Sequence, residues 1–242
     1  MEHAEIASEL TNVLGLAAPP IAITFSNDAP TGVEPFDAPV AEPTAAGRTG
    51  RVPAGCVFWM RAANRTFTTV PEDHGNCSVG MLTHGLLSLQ EAAGREDVQA
   101  IMECGWVTPE AAGTIPTVAE RHSHITYGPL ESTPVDPDVV LLRLNGRGLM
   151  VLMDAMPGLQ VEGKPQCHIV PLAKQHGKVA VSAGCALSRA RTGMPASEMT
   201  CAIPGKQLGE VVEALRRTAD IDATVARYAA VDSRRFEQQP TS

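Results

Sequence analysis

No Cys-x-x-Cys pair occurs in this chain of 242 residues, although it holds six cysteines. The tight knuckles of structural zinc sites and the dense cysteine runs of ferredoxins are therefore missing as local motifs. Equally absent are a Gly-x-Gly-x-x-Gly turn after a strand, a Walker loop, a Gly-x-Ser-x-Gly elbow and a His-Glu-x-x-His helix. Those absences remove the sequence basis for a nucleotide-binding, serine-hydrolase or zinc-protease reading. There is no basic tract, and a net charge of −8 argues against a protein built around nucleic acid phosphates. The most apolar later stretch, residues 139 to 153, is interrupted by Arg143, Asn145 and Arg147. The opening Met1-Glu2-His3-Ala4-Glu5 lacks the basic and apolar regions of a signal peptide. The expectation is a soluble, cytoplasmic protein with no membrane or nucleic acid partner. In that compartment thiols are kept reduced, so six cysteines point to metal or catalysis before disulfides.

What is present begins with a repeat. Ala54-Gly55-Cys56 is followed by Arg61-Ala62, Thr68, Pro71 and Cys77, and Ala183-Gly184-Cys185 by Arg189-Ala190, Thr192, Pro195 and Cys201. In both copies proline stands six residues before the second cysteine, and a glycine follows within four, Gly80 or Gly205. The Cys-to-Cys spacings are 21 and 16 residues, so the match contains a gap. An internal duplication of this kind predicts two halves about a pseudo-twofold axis, with four thiolates meeting at one place. Cys104 and Cys167 belong to neither copy and are assigned to packing, although Cys167, beside His168 and after Pro165, could face a pocket.

Apolar content of 44% with 19% charged residues is globular. Patterning predicts an α/β fold, with α+β as the alternative, in two related halves, residues 1–130 and 131–242, that could form one compact domain. In the first, Ile6, Leu10, Val13 and Leu14 recur at helical spacing, and Ile21-Ala22-Ile23-Thr24-Phe25 reads as a strand. Residues 27 to 53 form a long loop, either a lid or a surface excursion. A short helix spans residues 56 to 64, a β-prone stretch 66 to 70, and one helix 80 to 93, placing Cys77 just before a helix N-terminus that favours a thiolate. Residues 95 to 135 read as a helix and then an interdomain connection. In the second half, Val139 to Leu144 is a buried strand, residues 146 to 156 and 168 to 176 are helices, and 178 to 182 is a strand delivering Cys185. Residues 206 to 218 and 220 to 236 read as two closing helices.

These blocks carry a family resemblance. The N-terminal helix followed by Pro20-Ile21-Ala22-Ile23, the segment from Cys56 to Cys77-Ser78-Val79-Gly80 ending in Gly85-Leu86, the Pro137-Asp138-Val139-Val140 segment and the Cys185 to Cys201 segment together resemble domain of unknown function family 169. The resemblance spans nearly the whole chain. It implies a soluble prokaryotic protein whose recurrent cysteine positions correspond here to Cys56, Cys77, Cys185 and Cys201, and it implies no reaction.

Four thiolates from separated pairs suit an iron–sulfur cluster, 4Fe-4S first, with three ligands also possible if one iron is left open. Zinc accepts the same four sulfurs, and buried unligated thiols are the remaining alternative. Beside Cys77, Asp73 and His74 are the candidate catalytic groups for proton transfer to a small organic substrate; exposed loop polarity explains Glu72-Asp73-His74 more simply. His84 could hydrogen-bond the site from a second layer, a satisfied buried histidine being the commoner outcome, and Arg61 and Arg189 are matched across the copies, for an anionic ligand or for ordinary ion pairing. Two functions stay open: an enzyme using the cluster as Lewis acid or redox centre, or a sensor, carrier or electron-transfer protein with a redox partner. A homo-oligomer is compatible with either.

Overall fold

The computed structural model describes residues 1–37 and 54–237. The expected lid, residues 27 to 53, therefore lies largely outside the described residues. The first half runs α1 (His3–Leu14), β1 (Ile21–Ser26), α2 (Gly55–Arg61), β2 (Phe67–Thr69), a 3-10 turn (Pro71–His74), α3 (Ser78–Thr83), α4 (Leu89–Ala93), α5 (Glu96–Glu103), α6 (Pro109–Ala112) and β3 (His124–Pro129). The second runs β4 (Val139–Leu144), α7 (Gly146–Ala155), β5 (Gln160–Glu162), a 3-10 turn (Gln166–His168), α8 (Ile169–His176), β6 (Ala180–Ser182), α9 (Ala186–Thr192), β7 (Met199–Pro204) and α10 (Leu208–Glu237).

The strands form one mixed sheet in the order β2-β3-β1-β4-β7-β6-β5, antiparallel except for the β5–β6 pair. This is the expected α/β class. Both faces are buried, and the strands alternate between them because successive side chains point to opposite sides. Ile21, Ile23, Val139, Leu141 and Ala202 face a layer holding Phe58, Trp59, Ile169 and Val170. Ala22, Val140, Leu142, Cys201 and Ile203 face the opposite layer, built by Leu10, Leu14, Leu152, Val211 and Leu215 of α1, α7 and α10.

The junction between the halves falls at the β1–β4 pair, where Ala22 opposes Val140. Among the described residues the first half contributes three strands and the second four, with β2 and β5 at the edges, so the strands do not repeat one for one and the expected pseudo-twofold duplication is not shown. Cys56 precedes β2 and Cys77 follows it; Cys167 precedes β6 and Cys185 follows it. That correspondence differs from the one expected from the sequence repeat, which matched Cys56 with Cys185 and Cys77 with Cys201.

Three local expectations are corrected. Residues 95 to 135 hold β3, which pairs with both β1 and β2, so they are sheet as well as connection. The single helix expected over residues 80 to 93 is two, α3 and α4, separated at Gly85, whose φ is +72° and where a Cβ would collide with the Val118 carbonyl oxygen. The two closing helices are one, α10, because nothing between Thr218 and Asp220 interrupts the helical backbone.

Candidate functional site

Four cysteines line one cavity, and they are not the four expected from the sequence repeat. Cys56 comes from the first turn of α2, Cys77 from the residue capping α3, Cys185 from the residue capping α9, and Cys167 from the 3-10 turn before α8. The cavity is about 30 Å³, room for about two waters by the usual measure. Its other lining includes Gly55, Trp59, His84, Trp106, Gln166 and Arg191.

Cys201 stands elsewhere. It is the third residue of β7, fully buried, and its side chain packs with Leu10 and Val211 in the layer on the other face of the sheet. The reason is strand alternation: its neighbour Ala202 faces the layer that contains the cavity, so Cys201 cannot. Burial pushes its thiol well up, as for an inert core sulfur. Cys167 takes its place at the cavity, against the assignment to packing. The legible signal was its position after Pro165 and beside His168, which allowed it to face a pocket. Cys104 is exposed and lies outside the lining.

The cavity thiols sense one another. Burial pushes the Cys56 thiol up, and the nearby Cys77 and Cys185 act in the same direction. Cys167 is pushed up further, by complete burial first and then by Cys77, Cys185 and Cys56. Burial opposes the charge on Arg191, yet the fields of Cys77, Cys56 and Cys185 hold its guanidinium above the usual range. One Arg191 nitrogen donates to the Asn76 carbonyl at 3.0 Å, which anchors the cation beside Cys77. The Gly80 amide donates to Cys77 Sγ at 3.4 Å. Among the described residues no three His, Cys, Asp or Glu side chains gather closely enough to hold a single metal ion.

Asp73 and His74 are not brought to the cavity lining. Both are buried in the 3-10 turn after β2, at 3% and 1% exposure, so the exposed-loop reading is corrected too. Asp73 accepts the Val70 amide at 3.0 Å. His74 Nε2 lies 3.0 Å from Thr69 Oγ1, and its ring packs against Phe58 and Tyr127. Burial holds His74 well below the ordinary histidine range. Arg189 binds backbone: its guanidinium donates to the carbonyls of Ala183 at 2.9 Å, Pro195 at 2.6 Å and Glu198 at 2.7 Å, which clamps the turn after β6 against the approach to β7. Arg191, two residues on, is the cation the cavity uses.

No helix among the described residues is long and apolar enough to cross a membrane. The DUF169 family model, described as "Uncharacterised ArCR", matches residues 9–214, a span that encloses all four cavity cysteines and ends inside α10. No curated protein and no solved structure matches the chain.

Proposed function

The chain belongs to the DUF169 family, and from that premise we propose that it is an iron–sulfur protein whose cluster, 4Fe-4S in first place, is held by cysteines drawn from Cys56, Cys77, Cys167 and Cys185. The observation that carries this is the convergence of four thiols, from four segments spread over 130 residues, on one small and largely apolar cavity. Soft sulfur donors in that number select zinc or iron–sulfur chemistry. A zinc ion with bonds of about 2.3 Å requires its four sulfurs to stand roughly 3.8 Å apart. A cluster places each thiolate on a different iron, so its ligands stand farther apart, and iron, sulfide and zinc content separates the two.

When bound, the cluster would supply one-electron redox chemistry or a Lewis-acidic iron. The protein's own residues supply the environment. Arg191 offsets part of the thiolate charge, the Gly80 amide donates to Cys77, and Trp59, Trp106 and Val79 keep water away. The guanidinium and the amide raise the reduction potential of an anionic centre, whereas excluding water lowers it. The enzyme reading takes a small organic substrate to this centre. The second reading is an electron-transfer or carrier protein with a redox partner.

Protein purified without oxygen tests the proposal by its iron, acid-labile sulfide and zinc content. The expected result is a brown protein with iron and sulfide in near-equal amounts, lost when Cys56, Cys77, Cys167 or Cys185 is replaced by alanine in at least three of the four cases. Cys201→Ala and Cys104→Ala should keep it. A colourless folded protein with one zinc per chain, or loss of iron in the Cys201 variant only, would refute it.

A further inference from the structure

His84 is fully buried at the end of α3, and its two ring nitrogens have different partners. Nδ1 lies 2.8 Å from the Gly80 carbonyl oxygen. A carbonyl only accepts, so Nδ1 carries the hydrogen. Thr83 Oγ1, 3.1 Å from the same nitrogen, has its own hydrogen directed to the Gly80 carbonyl at 3.0 Å and is consistent with that tautomer. Nε2 therefore holds a lone pair, and it is buried with no hydrogen-bond partner. An unpartnered buried acceptor is destabilising, and a ligand that meets it removes that cost.

The Nε2 edge of the ring packs against Gly55, the residue before Cys56. A Cβ on Gly55 would stand 3.3 Å from His84 Cε1 and 3.6 Å from Nε2, so the absent side chain lets this edge of the ring reach the cavity wall. The ring is held in place by Gly85, whose positive φ turns the chain immediately after it, and by the Val118 amide donating to the Thr83 carbonyl at 2.9 Å. Burial also keeps the imidazole neutral. A neutral imidazole with one N–H on a backbone carbonyl and the other nitrogen bare is the arrangement of a metal-ligating histidine with its outer hydrogen bond already made.

We infer that His84 Nε2 is a ligand of the metal centre, so that three of the four cavity cysteines and one imidazole fill the four corners of the cluster. This rests on the iron–sulfur reading. The fourth thiol stays in the cavity outside the ligand set. An imidazole is neutral where a thiolate is anionic, so the centre should have a higher potential than one with four thiolates. The sequence pattern suggests His74 for proton chemistry, but the buried histidine that lines the cavity with the thiols is His84.

The test uses full-length protein reconstituted anaerobically with ferrous iron and sulfide, reduced with dithionite, and read by pulsed electron paramagnetic resonance and by Mössbauer spectroscopy with enriched iron. The expected spectrum shows nitrogen coupling that changes on labelling with [¹⁵N]histidine, together with one iron distinct from the others. His84→Ala should abolish the coupling. His84→Cys, which keeps four corners filled and guards against a merely misfolded alanine variant, should retain the cluster, lose the nitrogen coupling and lower the potential. A complete cluster without nitrogen coupling in the wild type, or coupling that persists in His84→Cys, would overturn the inference and leave the iron–sulfur reading standing. Protein that takes up no iron and sulfide overturns that reading and this inference with it.

Discussion

Acid should destabilise the metal-free protein through His84 in a way that can be calculated. Burial lowers this imidazole from 6.5 to about 4. The unfolded chain binds a proton near pH 6.5, whereas the folded chain resists it until about pH 4, so below pH 6.5 the unfolded state holds more protons. Stability present above pH 6.5 is therefore lost as pH falls toward 4, and the loss levels off below that. For one such group the linkage amounts to about 2 kcal/mol at pH 5 and about 3 kcal/mol at pH 4. His74, also held neutral by burial, acts in the same direction. The assay is urea unfolding of metal-free wild type and His84→Asn at a series of pH values, because the difference between them cancels the titration of unrelated carboxylates. Asparagine does not titrate, so the difference should move by about 3 kcal/mol in the variant's favour between pH 7 and pH 4. A constant difference across that range would show that His84 protonates freely in the folded protein, and the buried neutral imidazole would be wrong.

Three further outcomes follow from particular contacts. Cys201→Ser places a hydroxyl in an apolar layer without a partner and should cost about 1–3 kcal/mol in denaturant unfolding while leaving metal content unchanged; loss of metal would put Cys201 at the site. Arg189→Lys should destabilise nearly as much as Arg189→Ala, by about 2 kcal/mol, since an ammonium cannot span three carbonyls that a planar guanidinium reaches; full rescue by lysine in a thermal melt would reduce the contact to simple charge. Gly205→Ala should yield little folded protein, because a Cβ there collides with the Pro137 carbonyl oxygen at the end of β7; a melting temperature within a few degrees of wild type would contradict the packing of β7 against the β4 entry.

Much of the frame was readable from pattern. β1 and β4 are runs of branched and aliphatic residues, and α1 and the first half of α10 carry apolar residues at helical spacing, so periodicity alone placed them. β3 was not readable in the same way. His124-Ile125-Thr126-Tyr127-Gly128-Pro129 has only one aliphatic residue, and it is a strand because β1 and β2 on either side complete its hydrogen bonds. The break between α3 and α4 depended on Val118, more than thirty residues away, leaving no space beside Gly85.

The cysteines divide along the same line. Their number and their separation along the chain carried the expectation that thiols from distant segments would meet, because a soft-metal proposal rests on donor chemistry and needs no coordinates. Which thiols share a cavity was decided only by the fold. A strand sends successive side chains to opposite faces, so Cys201 was committed to the α1–α7–α10 layer once Ala202 faced the other. Cys167, outside the sequence repeat, reached the cavity because the 3-10 turn before α8 lines it together with α2 and the caps of α3 and α9.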